Sequence, residues 1–327
     1  MHEMRSPNSL IRVQDLSVEF STSTRGQTVK AVNQISFEVS AGETFGVIGE
    51  SGSGKSTLGR TLVALQSPTR GKILHDGVDM QSLSRGQLRD HRRNFQIIFQ
   101  DPNAALNPRM RVIDAVMEPL RIAGEHSAAQ CRALALQALH RVGLPEEYAT
   151  RYPHQFSGGQ KQRIIIARAL TLQPKVLVCD EVVAALDVSI RGDVLNLFAD
   201  LQHEFGLTYV FITHDISVVS HISDRIAVMY LGALMELGPA EAVTARPLHP
   251  YTRALLAAEP RALPSYLRQA KREVLKGEIP SPIHPPSGCV FRTRCPQATA
   301  LCAEQRPTWQ ALHNGHWVAC HYADTSS

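Results

Sequence analysis

The chain has 327 residues, of which 43% are hydrophobic and 20% charged, and its formal net charge is +4. This composition is typical of a globular protein with room for one large α/β domain and a smaller one. So small a charge, spread over segments of mixed sign, gives no argument for a nucleic-acid-binding protein. No apolar run is long enough to span a bilayer and no secretion signal is seen, so we expect any membrane role to require docking onto a separate membrane protein.

The N-terminal part alternates apolar and polar residues. The alternation covers residues 11–20 and 32–39, and a polar stretch, 21–26, separates them. A period of two residues predicts strands of an antiparallel sheet joined by a loop.

A glycine-rich segment comes next and fits the pattern G-x-x-x-x-G-K-[ST], which binds nucleotide phosphates between a strand and a helix. The apolar run 44–48 precedes it as a predicted strand, and 58–65 follows as a predicted helix. We expect Lys55 to neutralise the β and γ phosphates and Ser56 to ligate Mg²⁺. A chance glycine turn is the alternative, which the strand and helix context disfavours. The segment consists of Gly49, Glu50, Ser51, Gly52, Ser53, Gly54, Lys55, Ser56 and Thr57.

Two further elements precede or begin predicted helices. Gln100 ends a strand-like run, and its amide could ligate Mg²⁺ or orient water, or be only a polar residue at the start of a loop. Residues 111–170 are predicted to be mostly helical. Within them a helix is expected to begin near Ser157, Gly158, Gly159 and Gln160, where free N–H groups offer a second anion site or a simple helix cap.

Residues 176–230 alternate strand-like and helix-like patterns, which predicts a parallel sheet covered by helices. The apolar run from Val176 ends in Asp180 and Glu181, and the run 208–213 ends before His214. Ligands bind beyond the carboxyl ends of such strands, so Asp180 is expected to hold Mg²⁺ and Glu181 to polarise a water for attack on the γ phosphate. His214 could hydrogen-bond that phosphate or that water. Solvated strand-end carboxylates and a surface histidine are the alternatives.

The proline-rich segment that begins at Pro247 predicts a linker, followed by a compact tail that holds four of the six cysteines. No Cys-x-x-Cys pair is present among them, which makes zinc less natural, whereas four thiolates fit a [4Fe–4S] cluster. Zinc and free thiols remain alternatives. Arg292 and Arg294 could offset the charge of a cluster or form only a solvated face. The tail cysteines are Cys289, Cys295, Cys302 and Cys320.

Taken together, these motifs resemble the ATP-binding subunits of ABC transporters over residues 8 to about 245. Segment 49–57 is similar to the Walker A loop, 176–181 to the Walker B strand and 157–160 to the signature motif. Three further elements of that family find counterparts here. They are the Q-loop at Gln100, the switch histidine at His214, and the D-loop at Ala185, Leu186 and Asp187. By the same resemblance, Phe20 stacks on adenine.

More narrowly, the chain is similar to the dipeptide/oligopeptide importer ATPases nearly from end to end. This likeness is carried by segments 151–160, 185–189, 249–252 and 280–295. The matching tail cysteines of that family imply the same [4Fe–4S] cluster. One departure is visible. The family commonly has Pro and a small polar residue after the Walker B carboxylates, where this chain has Val182, Val183 and Ala184.

The resemblance implies an α/β fold: a P-loop ABC-type nucleotide-binding domain with a mixed sheet core, an antiparallel β subdomain and a helical subdomain, followed by a small C-terminal Cys-rich domain. The implied boundaries are 8–245 for the ATP-binding domain, with the helical subdomain at about 101–170, and 246–327 for the C-terminal extension. The implied activity is ATP hydrolysis with ATP and Mg²⁺, in which dimer closure powers a bacterial importer of di-/oligopeptides or a related small solute.

The implied partners are a second ABC ATPase subunit, usually a paralogue, two permease subunits and, through them, a solute-binding protein. In the dimer, Ser157, Gly158, Gly159, Gln160 and Asp187 would act in trans on the ATP of the other subunit. The implied location is peripheral, on the cytoplasmic face of the inner plasma membrane, with no nucleic acid bound. A soluble ABC-type ATPase acting on nucleic acid or the ribosome is the alternative, and the sequence does not identify the transported solute.

Overall fold

A computed structural model describes residues 8–22, 24, 26–184, 186–258, 277–312 and 315–323 of the chain. Two sheets and a group of helices make up the described part. The strands are β1 Ser9–Ser21, β2 Thr28–Ser40, β3 Thr44–Ile48, β4 Arg70–His75, β5 Val78–Asp79, β6 Phe95–Ile98, β7 Val176–Asp180, β8 Thr208–Thr213, β9 Arg225–Tyr230, β10 Ala233–Pro239, β11 Gln310–Ala311 and β12 Trp317–Val318. The helices are α1 Lys55–Leu62, α2 Arg85–His91, α3 Pro102–Ala105, α4 Val112–Ala123, α5 Ala128–Arg141, α6 Gly158–Leu170, α7 Val188–Phe205, α8 Ile216–Ile222, α9 Ala240–Ala245, α10 Pro250–Ala258 and α11 Ala300–Glu304.

The larger sheet has the strand order β11-β12-β10-β9-β3-β8-β7-β6 and is mixed. Its central strands β3, β7 and β8 are buried along their whole length, as expected for parallel strands covered on both faces. Neighbouring strands end level with one another: Ile48 of β3 pairs with Thr213 of β8, and Asp180 of β7 pairs with Ile212. The residues that follow these strands therefore meet at one edge of the sheet.

The smaller sheet, in the order β2-β1-β4-β5, is antiparallel throughout. Its strands β1 and β2 have 13 residues each and run longer than the alternating pattern alone predicts. Their apolar faces join α1 and the central strands in one hydrophobic cluster. The predicted antiparallel subdomain is therefore confirmed, and it packs onto the mixed sheet.

Helices α3 to α6 form the helical part, and α6 packs against α4 and α5. A continuous hydrophobic cluster joins these helices to strand β7 and helix α7. Helix α6 carries the apolar run Ile164–Ile166, which is buried in that cluster. No helix in the part of the chain that the structure describes is both long and apolar enough to cross a bilayer.

The described part of the tail extends the larger sheet. Strand β12 pairs antiparallel with β10, and β11 pairs with β12. Phe291 is fully buried against Tyr230 and Tyr251, with ring centroids 5.3 Å from each. A small Cys-rich domain with a core of its own is thus not confirmed, because tail residues share a hydrophobic cluster with β9, β10 and α10.

Candidate nucleotide-binding and hydrolysis site

The glycine-rich loop connects β3 to α1 and is packed against two other backbone segments. A Cβ atom added at Gly54 would lie 2.0 Å from the carbonyl oxygen of Ala31, and one at Gly49 would lie 2.2 Å from that of Met229. The backbone at Gly54 also has a φ of 101°, a conformation that favours glycine. These two glycines are therefore required by space as well as by backbone conformation. The loop ends at the N-terminus of α1, where free N–H groups provide an anion site.

The lysine of this loop is buried, with 5% of its surface exposed. Its Nζ donates hydrogen bonds to the carbonyl oxygens of Gly49, at 2.7 Å, and Glu50, at 2.9 Å. Burial lowers the pKa of Lys55, and the carboxylates of Glu181 and Asp180 oppose that shift. Two backbone carbonyl oxygens thus hold the Lys55 Nζ at the loop, where a phosphate would meet it.

A hydroxyl and a carboxylate come together beside the lysine. Ser56 Oγ donates a hydrogen bond of 3.0 Å to Asp180 Oδ1. Burial raises the pKa of the Asp180 carboxyl, while the hydrogen bond from Ser56 lowers it. Hydroxyl and carboxylate oxygens are ligands that Mg²⁺ prefers, so this pair is suited to hold that ion.

Three polar side chains meet at the next position along the same edge. Gln100 Nε2 donates to Glu181 Oε2 at 2.8 Å, and His214 Nδ1 lies 3.2 Å from Glu181 Oε1. The backbone of Glu181 is left-handed, with φ 53°, and its N–H donates to the Ile212 carbonyl at 2.8 Å. The structure therefore gathers Gln100, Glu181 and His214 around one carboxylate.

Two of the three residues that depart from the family pattern face the interior. Val182 and Val183 are buried in the cluster that joins β7 to the helical part. The N–H of Ala184 donates to the Glu181 carbonyl at 3.1 Å, which closes a turn. Apolar side chains at these positions are thus accommodated by packing, and the turn leads toward α7. Ala185, the first residue of the predicted D-loop, lies outside the described residues.

The predicted second anion site is the start of α6, and it is not joined to the glycine-rich loop. Ser157 and Gln160 form a capping box: Ser157 Oγ accepts from the Gln160 N–H, and Gln160 Oε1 accepts from the Ser157 N–H. A Cβ atom at Gly159 would lie 2.5 Å from Cγ2 of Ile190, so α6 and α7 are in close contact there. No hydrogen bond within the described ranges links residues 157–160 to residues 49–57.

Two other predicted residues lie at the surface. Phe20 is near the end of β1 and is exposed. Asp187 precedes α7 as its N-terminal cap residue, is exposed, and makes no side-chain capping bond. Neither contacts the glycine-rich loop through any hydrogen bond of the described residues.

The four tail cysteines line one small cavity of about 10 Å³. Burial, and after it the nearby thiols of Cys302, Cys295 and Cys320, raise the pKa of the Cys289 thiol to about 11. Among the described residues, no group of three His, Cys, Asp or Glu side chains is placed to hold a single metal ion. Cys131 and Cys179 lie apart from the tail, buried in the core.

Sequence reasoning missed a contact between the tail and the loop. Arg294 forms two hydrogen bonds to the carboxylate of Glu50, at 2.6 and 3.0 Å, and the hydroxyl of Tyr251 accepts from the Glu50 N–H at 2.9 Å. The Arg294 side chain is only 6% exposed, so the solvated face considered from the sequence is wrong for this residue. The only sequence signal was the position of Arg294 next to Cys295.

Two family models match the chain: one described as ABC transporter over residues 32–184, and one described as oligopeptide/dipeptide transporter, C-terminal region, over residues 235–302. The chain belongs to the ABC transporter family. It is 51% identical over 294 residues to the oligopeptide transport ATP-binding protein AppF of Bacillus subtilis, covering 90% of this chain and 89% of the relative. It is 49% identical over 319 residues to the oligopeptide transport ATP-binding protein OppF of Haemophilus influenzae, covering 95% and 96%.

Solved structures of this ABC ATPase family resemble the chain as well. The dimeric ATP-binding cassette MJ0796 in a post-hydrolysis state with ADP and Pi has a TM-score of 0.64 at 30% identity, covering 70% of this chain and 98% of that one. The cbiO1 cassette of Clostridium perfringens has a TM-score of 0.65 at 30% identity, covering 73% and 92%. These comparisons confirm the cassette fold and the ATPase class predicted from the sequence.

Proposed function

We propose that this ABC protein is the ATP-hydrolysing subunit of an importer for di-/oligopeptides or a related small solute. One observation supports this proposal best. All the groups that phosphate binding and water activation need lie together at the carboxyl ends of β3, β7 and β8 and just after β6. The relatives reported above are named for oligopeptide transport.

Each of these groups has a chemical role in the proposed reaction. Lys55 binds the β and γ phosphates, and the residues suited to hold Mg²⁺ are Ser56, Asp180 and Gln100. Bound Mg²⁺ would neutralise phosphate charge. Glu181 accepts the proton of the attacking water, and His214, in contact with the same carboxylate, orients that water or the γ phosphate.

The second anion site acts on another subunit. The start of α6 presents N–H groups but does not meet the glycine-rich loop of its own chain, so Ser157, Gly158, Gly159 and Gln160 would close over ATP bound by a partner cassette, together with Asp187. Phe20, exposed near the end of β1, would stack on adenine. ATP then holds two cassettes together because its phosphate charge is fully paired only in the closed dimer, and hydrolysis releases them.

The other proposed partners are the proteins that a transport function requires. The cassette, residues 8–245 with its helical part at 101–170, would dock on two permease subunits at the cytoplasmic face of the inner membrane, and the permeases would meet the solute-binding protein. The second cassette would be a paralogue. The alternative of an ATPase acting on nucleic acid or the ribosome gains no support from the comparisons.

Isolation of the tagged chain from native membranes tests this assignment. We expect two permease proteins and a second cassette to copurify with it, and the complex to hydrolyse ATP. Copurification with ribosomal RNA or DNA in place of the permeases would overturn the transport assignment.

For the C-terminal extension, residues 246–327, we propose a [4Fe–4S] cluster held by Cys289, Cys295, Cys302 and Cys320. The cavity that all four cysteines line supports it, since such a cluster needs four convergent thiolates. Anaerobic purification should give four iron and four sulfide per chain with a broad visible absorption. Cys295→Ser should reduce that content, whereas Cys131→Ala, at a buried site elsewhere, should leave it unchanged. A wild-type chain without iron would overturn the cluster.

A further inference from the structure

We infer that Arg294 is a positioning residue for the glycine-rich loop, through which the cysteine tail sets the affinity of the cassette for Mg-ATP. This inference rests on the proposed nucleotide site. It adds that a residue from a distant part of the chain influences how tightly that site binds Mg-ATP. Arg294 and Glu50 are 244 residues apart in the sequence.

Glu50 is the residue at which the loop and the C-terminal region meet, because all three of its polar groups are engaged. Its carboxylate accepts both bonds from Arg294, and its N–H donates to Tyr251. Its carbonyl oxygen accepts from Lys55 Nζ at 2.9 Å. A displacement of Glu50 therefore moves an acceptor that orients the phosphate-binding lysine.

The contact is of a kind that fixes position. Two parallel N–H···O bonds between a guanidinium and a carboxylate define both distance and orientation. The hydroxyl of Tyr230 lies 3.5 Å from Arg294 Nη1 and so supports the guanidinium from a second side. The Arg294 side chain is almost completely buried and the Glu50 side chain is 23% exposed, so water would replace only in part the partner that the Glu50 carboxylate loses when the arginine charge is removed.

The arginine is also tied to the cysteine cavity. It directly precedes Cys295, whose side chain lines the cavity, and its own N–H donates to the Phe291 carbonyl at 3.0 Å. Phe291 lines the same cavity and packs on Tyr251, the other partner of Glu50. Arg294 and Tyr251 thus link the residues that line the cavity to Glu50.

The test is the dissociation constant for Mg-ATP, measured by calorimetry on the full chain. Arg294→Gln should raise it roughly tenfold, the effect of losing one charge-assisted contact. Arg292→Gln is the matched control, because Arg292 lies two residues away and its guanidinium bonds only Ser287 among the described residues. Arg294→Lys keeps the positive charge but cannot form two parallel hydrogen bonds. Its dissociation constant for Mg-ATP should fall between those of the two Gln variants.

A double-mutant cycle separates positioning from general damage. Glu50→Gln should weaken binding in the wild type and add little in the Arg294→Gln background, since both remove the same contact. Tyr251→Phe keeps the buried ring, removes the acceptor of the Glu50 N–H, and should also weaken binding. If Arg294→Gln does not fold, the affinities of Glu50→Gln and Tyr251→Phe for Mg-ATP test the positioning role in its place.

The outcomes distinguish this inference from the nucleotide site itself. If the Arg294, Glu50 and Tyr251 variants bind Mg-ATP as the wild type does while Lys55→Ala does not, the positioning role is wrong and the site stands. If the wild type binds no Mg-ATP, both fail. Iron and thiol content should stay at the wild-type value in Glu50→Gln, which shows that its effect arises in the loop.

Discussion

Ser56 and Asp180 are joined by a hydrogen bond of 3.0 Å although they lie 124 residues apart in the sequence. Strands β3 and β7 both pair with β8, so the first turn of α1 and the end of β7 are brought to the same edge of the sheet. The two candidate Mg²⁺ ligands are therefore positioned by strand register. The positions of Ser56 and Asp180 relative to each other are thus set by strands that are buried along their whole length.

Replacement of Glu181 by Gln should abolish ATP turnover while leaving ATP bound. The amide keeps the shape of the side chain but cannot accept a proton, and loss of a general base lowers the rate roughly 10²- to 10⁴-fold. With ATP present, the variant should accumulate as a closed dimer. Turnover measured by phosphate release and dimer formation measured by light scattering check both expectations.

The control for that variant is Glu241→Gln, which changes an exposed carboxylate at the start of α9. It should hydrolyse ATP at the wild-type rate. Turnover by Glu181→Gln close to that of the control would remove Glu181 from its role as the base.

Replacement of Lys55 by Ala should weaken Mg-ATP binding. The change removes a buried ammonium that faces the phosphate site, and a charged hydrogen bond contributes about 1.5–3 kcal/mol, which corresponds to roughly a 10- to 100-fold loss of affinity. Lys175→Ala is the control, because Lys175 forms an exposed ion pair with Asp76. Equal affinity of the two variants would contradict the assignment of the phosphate loop.

The convergence of the site could be predicted from the sequence because it follows from a general property of parallel sheets. Apolar runs that end in Asp180, Glu181 and His214 indicate strands, and parallel strands present their carboxyl ends at one edge. The distances among these side chains then depend on register, which the pattern of buried residues fixes only approximately.

The tail could not be predicted in the same way. Strand β12 has two residues and pairs with β10 through contacts far apart in the chain, and so short a segment carries no periodic signal. The Arg294–Glu50 pair likewise needs the three-dimensional path of the chain, since neither residue type indicates its partner. Val182 and Val183 stood out as departures from a pattern, but only the fold shows that they are buried.

Alanine at Gly159 should destabilise the protein relative to alanine at Gly158. Both changes gain helix propensity at the start of α6, so the comparison isolates packing. The Cβ at position 159 would lie 2.5 Å from the stiff side chain of Ile190, whereas at position 158 the nearest atom is 4.0 Å away. Overpacking of this kind costs about 1–3 kcal/mol.

Thermal unfolding measures this difference, and Gly159→Ala should melt a few degrees below Gly158→Ala. In an Ile190→Ala background the difference should disappear, since the clash is removed. Equal melting temperatures in the wild-type background would show that α6 and α7 do not meet as closely as described.

Lowering the pH should destabilise the fold through His75. This side chain on β4 is completely buried and stacks on Phe95 with ring centroids 3.7 Å apart. Burial, and next the nearby His91, lowers the pKa of His75 to about 3. An unfolded histidine has a pKa of about 6.5.

Below pH 6.5 the unfolded chain therefore takes up a proton that the folded chain refuses, and stability falls as the pH decreases toward 3. Between pH 7 and pH 5 the free energy of unfolding should drop by about 2 kcal/mol from this residue. Urea unfolding at the two pH values measures the drop. In His75→Phe, which preserves the stacking, the part of the drop that comes from His75 should disappear. In His203→Gln, at an exposed position of α7, the full drop should remain. A drop of the same size in His75→Phe as in the wild type would show that His75 does not set the acid sensitivity of the fold.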